Sequence, residues 1–195
     1  SECALLDAAV VTHEVWHQPV PVGAELARRL ADLGRSDQLR VVGYVDGEPV
    51  ATPQVSGIMG AGGEDVSPQL SWSGAPEGTQ SYVVTMFDPD APTPSGFWHA
   101  CVSNIPAEVT SLPRDWASGE IADGVIKHLN DGGNRDFTGA APPAGHGAHR
   151  YIFCVTAVDT EQLEIDESAS PAVVNFTLSS HALGRAFLTP TYEVK

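Results

Sequence analysis

Apolar residues fall into short runs separated by Gly- and Pro-rich segments over most of this chain, and the runs favour Val, Ile, Tyr and Phe in the manner of strands. Strands are predicted over 39–45, 48–52, 69–72, 81–87, 99–105 and 151–158. Asp46-Gly47 supplies the positive-φ residues of a tight hairpin turn between the first two. Several strands are apolar at nearly every position, which suits burial on both faces. The intervening segments 57–63, 75–78 and 139–147 are punctuated by Gly and Pro. Helical spacing occurs twice. Over 24–33, Leu26, Leu30 and Leu33 form an apolar stripe that ends at Gly34 and follows the linker-like Pro19 and Pro21. Over 171–187, Ser170 is placed to cap, Pro171 fits the first helical position, and Val174, Leu178 and Ala182 form a stripe flanked by Val173, Phe176, Leu183 and Phe187. Many strands and few helices predict a mainly β protein, an antiparallel β-sandwich with peripheral helices including one at the C-terminus. Residues 39–195 make the domain, and 1–38 form an N-terminal extension whose helix packs on that domain or, alternatively, serves a homodimer contact or a pocket lid.

At 195 residues the chain suffices for one domain with a sizeable core. The 25 acidic and 10 basic residues give a formal charge of −15. Such a surface repels nucleic acid and anionic membranes at long range, so neither is expected as a partner. Recognition of an anion has to be local, within a Debye length of roughly 8 Å at physiological salt. The three cysteines, Cys3, Cys101 and Cys154, lack metal-ligand spacing, and the last two lie inside apolar runs, where a small buried thiol is expected. No apolar run approaches a membrane span and no export signal opens the sequence, so membrane insertion is not expected and a reducing cytoplasm is the expected location.

Polar chemistry concentrates at strand ends. Asp88, in the block D-P-D-A-P at 88–92, closes one apolar run, His99 opens the next, and His149 and Tyr151 stand in G-A-H-R-Y at 147–151, before the last. If those strands are neighbours, one carboxylate, two imidazoles and a phenol meet at one spot. Imidazoles, a phenol and the main-chain amides of the loop 142–148, presented through Gly145 and Gly147, are donors suited to a phosphate-like anion. Asp88 would repel that anion directly; its expected task is to orient and charge an imidazole, or to accept from an ammonium or hydroxyl on the ligand. Asp90 is expected to accept main-chain N–H bonds, and Arg150, between two pocket residues, to alternate to the other face and pair with a carboxylate. The H-x-x-H spacing of His146 and His149 lies on a Gly-rich loop and makes a weak metal signal, so neither metal nor cofactor is expected.

Several ordered blocks resemble the phosphatidylethanolamine-binding protein family, also called the Raf kinase inhibitor protein family, in its bacterial branch. They are S-P-Q-L-S-W at 67–72, D-P-D-A-P, F-W-H at 97–99, N-I-P at 104–106, N-D at 130–131, and P-P-A-G-H-G-A-H-R-Y at 142–151. The resemblance runs from about Leu39 to the C-terminus. It implies that Asp88, His99, His149 and Tyr151 line an anion pocket whose rim is shaped by Pro92 and Pro143, and that Ala91-Pro92 is a cis bond. Ala140 and Ala141 depart from the Pro and Cys of a G-P-C-P-P run. Three functions stay open: a binding protein for a small anion or phosphate headgroup; a metabolite-transforming enzyme, such as a cyclase or dehydratase, using Asp88, His99, His149 and Tyr151 for acid–base catalysis; and a protein regulator of a kinase or protease.

Overall fold

The computed structural model describes residues 39–44, 46–58 and 60–195; the N-terminal extension and its expected helix over 24–33 lie outside them. Antiparallel strands build the fold. β1 (Arg40–Val42), β2 (Leu70–Ser73) and β5 (Ser111–Leu112) form a three-stranded sheet in the order β1-β2-β5. β3 (Ser81–Asp88), β4 (Phe97–Pro106), β6 (Ile126–Lys127), β8 (Ile152–Val158) and β9 (Ala182–Leu188) form a five-stranded sheet in the order β6-β4-β3-β8-β9. A two-stranded ribbon joins β7 (His149–Arg150) to β10 (Thr191–Tyr192). The one α-helix among the described residues, α1, covers Pro171–Thr177.

Side-chain alternation sorts the five-stranded sheet into two faces. Tyr82, Val84 and Met86 of β3 and Phe153, Val155 and Ala157 of β8 join Leu70, Trp72 and Leu112 of the smaller sheet in the main core. Val83 and Cys101, on the opposite face, pack with Val158, Leu163, Val174 and Leu178 beneath α1. Burial raises the thiol of Cys101 well above its ordinary value, and that of Cys154 to about 11, as expected of core cysteines rather than nucleophiles.

Three sequence expectations need correction. The C-terminal helix stops at Thr177, continues for one 3₁₀ turn over Leu178–Ser180, and gives way to β9, which pairs along β8 from Phe153↔Leu188 to Val158↔Ala182. Ser170 caps as expected, and its side chain accepts from the Val173 amide. Val174 and Leu178 bury the stripe, whereas Phe176 is 80 % exposed, and the Ser179-Ser180-His181 run supplies nothing apolar to extend the face. Gly184 further disfavours a helix, and the open edge of β8 offers its neighbourhood a ladder of hydrogen bonds instead. The hairpin at Asp46-Gly47 is likewise absent: β1 pairs with β2, and the turn reaches the C-terminal strands. There the Asp46 carboxylate accepts from the Thr189 amide at 2.7 Å, the Gly47 amide donates to the Thr189 carbonyl at 2.9 Å, and Pro49 bridges to Thr191. The Ala91–Pro92 peptide is trans, as are all peptides among the described residues.

Gly139 packs directly against the backbone of Val55 and Ser56. A Cβ there would lie 2.5 Å from the Ser56 nitrogen and 2.5 Å from the Val55 carbonyl carbon, so any side chain would force backbone apart. We expect Gly139→Ala to lower unfolding free energy by about 1–3 kcal/mol in urea titrations. Gly119→Ala, where nothing lies within 4 Å of the added carbon, should change it by less than about 0.5 kcal/mol.

Candidate functional site

Asp88 is the last member of the row Tyr82, Val84, Met86 on β3, so its carboxylate sits at the polar end of the main core. His149 and Tyr151 similarly extend the row Phe153, Val155, Ala157 backwards from β8. The chain leaves the large sheet at Tyr151, whose amide donates to the Pro190 carbonyl at 2.9 Å, and Arg150 and His149 then pair with Thr191 and Tyr192 of β10.

His99 arrives by a different route. Met86 pairs with Ala100 and Phe87 with Trp98, so His99 is the extra residue of a β-bulge on β4. Strict alternation would group it with Cys101, on the face beneath α1; the bulge turns its ring to Tyr151, in edge-to-face contact at 5.2 Å. The segment after β6 fixes that ring. The Asn130 side-chain amide donates to the Thr138 hydroxyl at 3.0 Å, the Asp136 carbonyl at 2.9 Å and Asn134 Oδ1 at 2.9 Å. This folds the loop so that the Thr138 carbonyl accepts from His99 Nδ1 at 2.7 Å. Asp131 accepts from the Trp98 amide at 2.8 Å and tethers the same loop beside the bulge.

The four candidate side chains are brought together and buried: Asp88 is 3 % exposed, His99 5 %, His149 2 % and Tyr151 0 %. His149 Nδ1 donates to Asp88 Oδ2 at 2.8 Å, while Asp88 Oδ1 accepts from the Asp90 amide at 2.8 Å. Asp88 therefore orients an imidazole, as its position in sequence suggests. Arg150 turns to the other face and grips Asp90 through Nε at 2.8 Å and Nη2 at 2.7 Å, with its amide on the same carboxylate at 2.9 Å. Burial works against the charge of Asp90, yet those bonds and the Arg150 charge hold its carboxyl below the ordinary value.

Two buried polar atoms at the centre make no well-formed hydrogen bond to the protein, His99 Nε2 and the Tyr151 hydroxyl, although the Ala141 amide lies near the phenol oxygen. Tyr44, Trp72 and His128 also carry such an atom. What distinguishes His99 and Tyr151 is that they touch one another and lie within the field of Asp88. Burial pushes the His99 imidazole below its ordinary pKa, against the Thr138 and Gly139 carbonyls and the charges of Asp88 and Asp131. Burial and the Asp88 charge raise the Tyr151 phenol against the contrary pull of the Ala141 amide, so it keeps its proton at neutral pH.

The rim residues are more exposed. Pro92 is exposed and Pro143 half-buried; Gly145 is exposed, Gly147 half-buried, and both adopt positive φ. His146, exposed on the same loop, packs at 5.8 Å against His149. Among the described residues no group of three or more His, Cys, Asp or Glu side chains is arranged to hold a metal ion. No helix among them is long and apolar enough to cross a membrane. A cleft of about 390 Å³ lies at the other end of the β3–β4 pair, lined by Gln80, Asn104, Glu108, Asp123 and Glu161 among others. Its carboxylates would repel an anion, so the donor-rich cluster near Asp88 is the better candidate.

Thr138, Asn130 and Tyr192 are site-building residues that sequence reasoning missed or left without a role. Thr138 acts through its carbonyl, which carries no side-chain signal. Asn130 belongs to the N-D pair recognised at 130–131, and Tyr192 stands directly opposite His149 across the ribbon.

A family model described as phosphatidylethanolamine-binding protein matches residues 45–193. The UPF0098 protein YbhB of Escherichia coli K12 is 45 % identical over 150 residues, covering 76 % of this chain and 94 % of that protein. The crystal structure of E. coli YbcL, described as a new member of the mammalian PEBP family, superposes with a TM-score of 0.77 at 42 % identity, covering 81 % of this chain and 99 % of that one. The Chlamydia trachomatis protein CT736, described as a putative phosphatidylethanolamine-binding protein homolog, gives a TM-score of 0.70 at 25 % identity over 82 % of this chain and all of that one.

The buried imidazoles make stability pH-dependent. Burial lowers the pKa of both His99 and His128, so below about pH 6.5 the unfolded chain takes up protons that the folded chain declines. Their contribution is intact above that pH and is lost as pH falls toward the depressed folded values. The urea midpoint should therefore be lower at pH 5.5 than at pH 7.5, and His99→Gln should reduce the difference. An acid sensitivity unchanged in that variant would exclude His99 as a cause.

Proposed function

The chain belongs to the phosphatidylethanolamine-binding protein family, and on that premise we propose that this ligand-binding protein takes a small anion or phosphate headgroup at the cluster of Asp88, His99, His149 and Tyr151. The observation that carries this reading is the pair of buried polar atoms without a well-formed protein hydrogen bond, His99 Nε2 and the Tyr151 hydroxyl, beside the Asp88–His149 hydrogen bond. Leaving such groups unsatisfied costs about 1–3 kcal/mol each, and a ligand that bonds to them recovers that cost.

Roles follow from the protein's own bonds. The Tyr151 phenol donates to an anion oxygen. His149 is held by Asp88 through Nδ1, which leaves Nε2 free of that bond, and in the protonated imidazole that nitrogen is a second donor. Asp88 has both oxygens engaged, by the Asp90 amide and by His149, so its charge is directed at the imidazole. Entry over the rim at 143–147 brings the ligand past His146, whose ring packs on His149. Arg150, locked on Asp90, stays structural.

Titration calorimetry with phosphoethanolamine at pH 6 tests the reading. Tyr151→Phe keeps the buried ring and should weaken binding by about 1.5–3 kcal/mol, the scale of a hydrogen bond to a charged group; His149→Ala should cost at least as much. Wild-type protein that gives no binding heat, or variants that bind as wild type does, would place the ligand elsewhere.

A further inference from the structure

The hydrogen-bond polarity at His99 restricts what the proposed site can accept. A carbonyl oxygen only accepts, so the 2.7 Å contact with Thr138 puts the ring's proton on Nδ1 and leaves Nε2 of the neutral imidazole as a lone pair. Nε2 is buried and makes no well-formed hydrogen bond to the protein, and its ring meets that of Tyr151 edge to face at 5.2 Å. The charged and titratable groups that face this ring are Asp88 from β3, Asp131 from the loop after β6, Tyr151 between β7 and β8, and His149 through its bond to Asp88; the Thr138 and Gly139 carbonyls and the Phe97 ring complete its surroundings. Asp88 and Asp131 favour protonation of the ring and burial opposes it; burial prevails and the ring stays neutral near pH 7.

A neutral acceptor is an unusual element in a site for an anion, because a fully ionised oxyanion has no proton to give it. The two lone pairs would face each other, and the buried nitrogen would stay unsatisfied. We propose that the ligand is bound in a protonated form, as a hydrogen-phosphate group that donates its own P–O–H to His99 Nε2 while accepting from Tyr151 through another oxygen. The inference rests on the anion-site reading above and narrows it to inorganic phosphate or a phosphate monoester, which carry such a proton. A phosphodiester headgroup and sulfate do not. Sites with a fixed polar partner reject analogues lacking the matching group, because the partner is then left buried and unpaired.

Titration calorimetry of the full chain at pH 6.0 with four probes separates the outcomes: inorganic phosphate, sulfate, phosphoethanolamine and glycerophosphoethanolamine. Sulfate has the size and shape of phosphate, and glycerophosphoethanolamine carries the lipid's diester. Phosphate should bind about ten- to a hundredfold more tightly than sulfate, and the monoester should exceed the diester by a similar factor. Above the second pKa of the monoester, about 6, its affinity should fall about tenfold per pH unit as the proton is lost. Sulfate within threefold of phosphate overturns the inference and leaves the anion site standing. A diester that matches the monoester also overturns it, because the ammonium would then be the donor on His99. Failure of all four probes overturns both readings. In His99→Gln the amide can donate as well as accept, so the preference for phosphate over sulfate should narrow to about threefold or less. A folded His99→Gln protein with full discrimination would overturn the role of His99; the wild-type comparison decides the matter even where that variant does not fold.

Discussion

A double clamp between two acidic and two basic residues holds this structure together at the end that carries the candidate site. Asp88 ends β3 and Asp90 lies two residues on, His149 and Arg150 make β7, and they pair in order: Asp88 with His149, Asp90 with Arg150. The clamp stands where backbone pairing stops. β3 and β8 run together from Ser81↔Val158 to Phe87↔Ile152, after which the chain turns at Tyr151 toward β10. Beyond that point the carboxylates of Asp88 and Asp90 tie the β3 end to β7. A bidentate guanidinium–carboxylate pair supplies both strength and direction, and a third bond from the Arg150 amide to Asp90 fixes the main chain as well. Such half-buried charges are costly if one partner is lost, which makes the geometry all-or-none rather than adjustable.

The clamp also explains why neighbouring residues divide their work. Alternation sends His149 and Tyr151 inward and Arg150 outward, so one three-residue stretch contributes two side chains to the interior and an anchor to the rim. Rigid positioning costs least when functional groups occupy the ends of rows that the core already packs. Met86 precedes Asp88 on one row, and Phe153 follows Tyr151 on another, so the polar residues inherit order from their apolar neighbours.

The same rows made much of the site legible in sequence. A carboxylate closing one apolar run and an imidazole and phenol opening another can be read directly, as can the outward turn of Arg150, because a two-residue period needs no tertiary knowledge. His99 could not be placed so. By period it belongs with Cys101 beneath α1, and only a bulge, which depends on how β4 pairs with β3, brings it round. The Thr138 carbonyl that sets its tautomer is equally silent, since every residue has one. At the C-terminus, local helical spacing through Leu178 and Ala182 lost to the sheet edge of β8, a competition decided by long-range pairing. The turn at Asp46-Gly47 kept its positive φ at Gly47 but found its partner at Thr189, 143 residues from Asp46.

Net charge gives these local bonds their sense. With 25 acidic and 10 basic residues, the chain as a whole pushes anions away, and Asp88 adds a negative charge within the cluster itself. A dianion approaching His99 would meet that repulsion twice over, with a lone pair rather than a proton at the end of its path. A singly charged, proton-bearing ligand halves the electrostatic cost and satisfies the nitrogen in the same step. The bulge that turns His99 inward, the carbonyl that fixes its proton on the far side and the acidic field around it all act in one direction. They favour the ligand that carries the fewest charges and brings its own hydrogen.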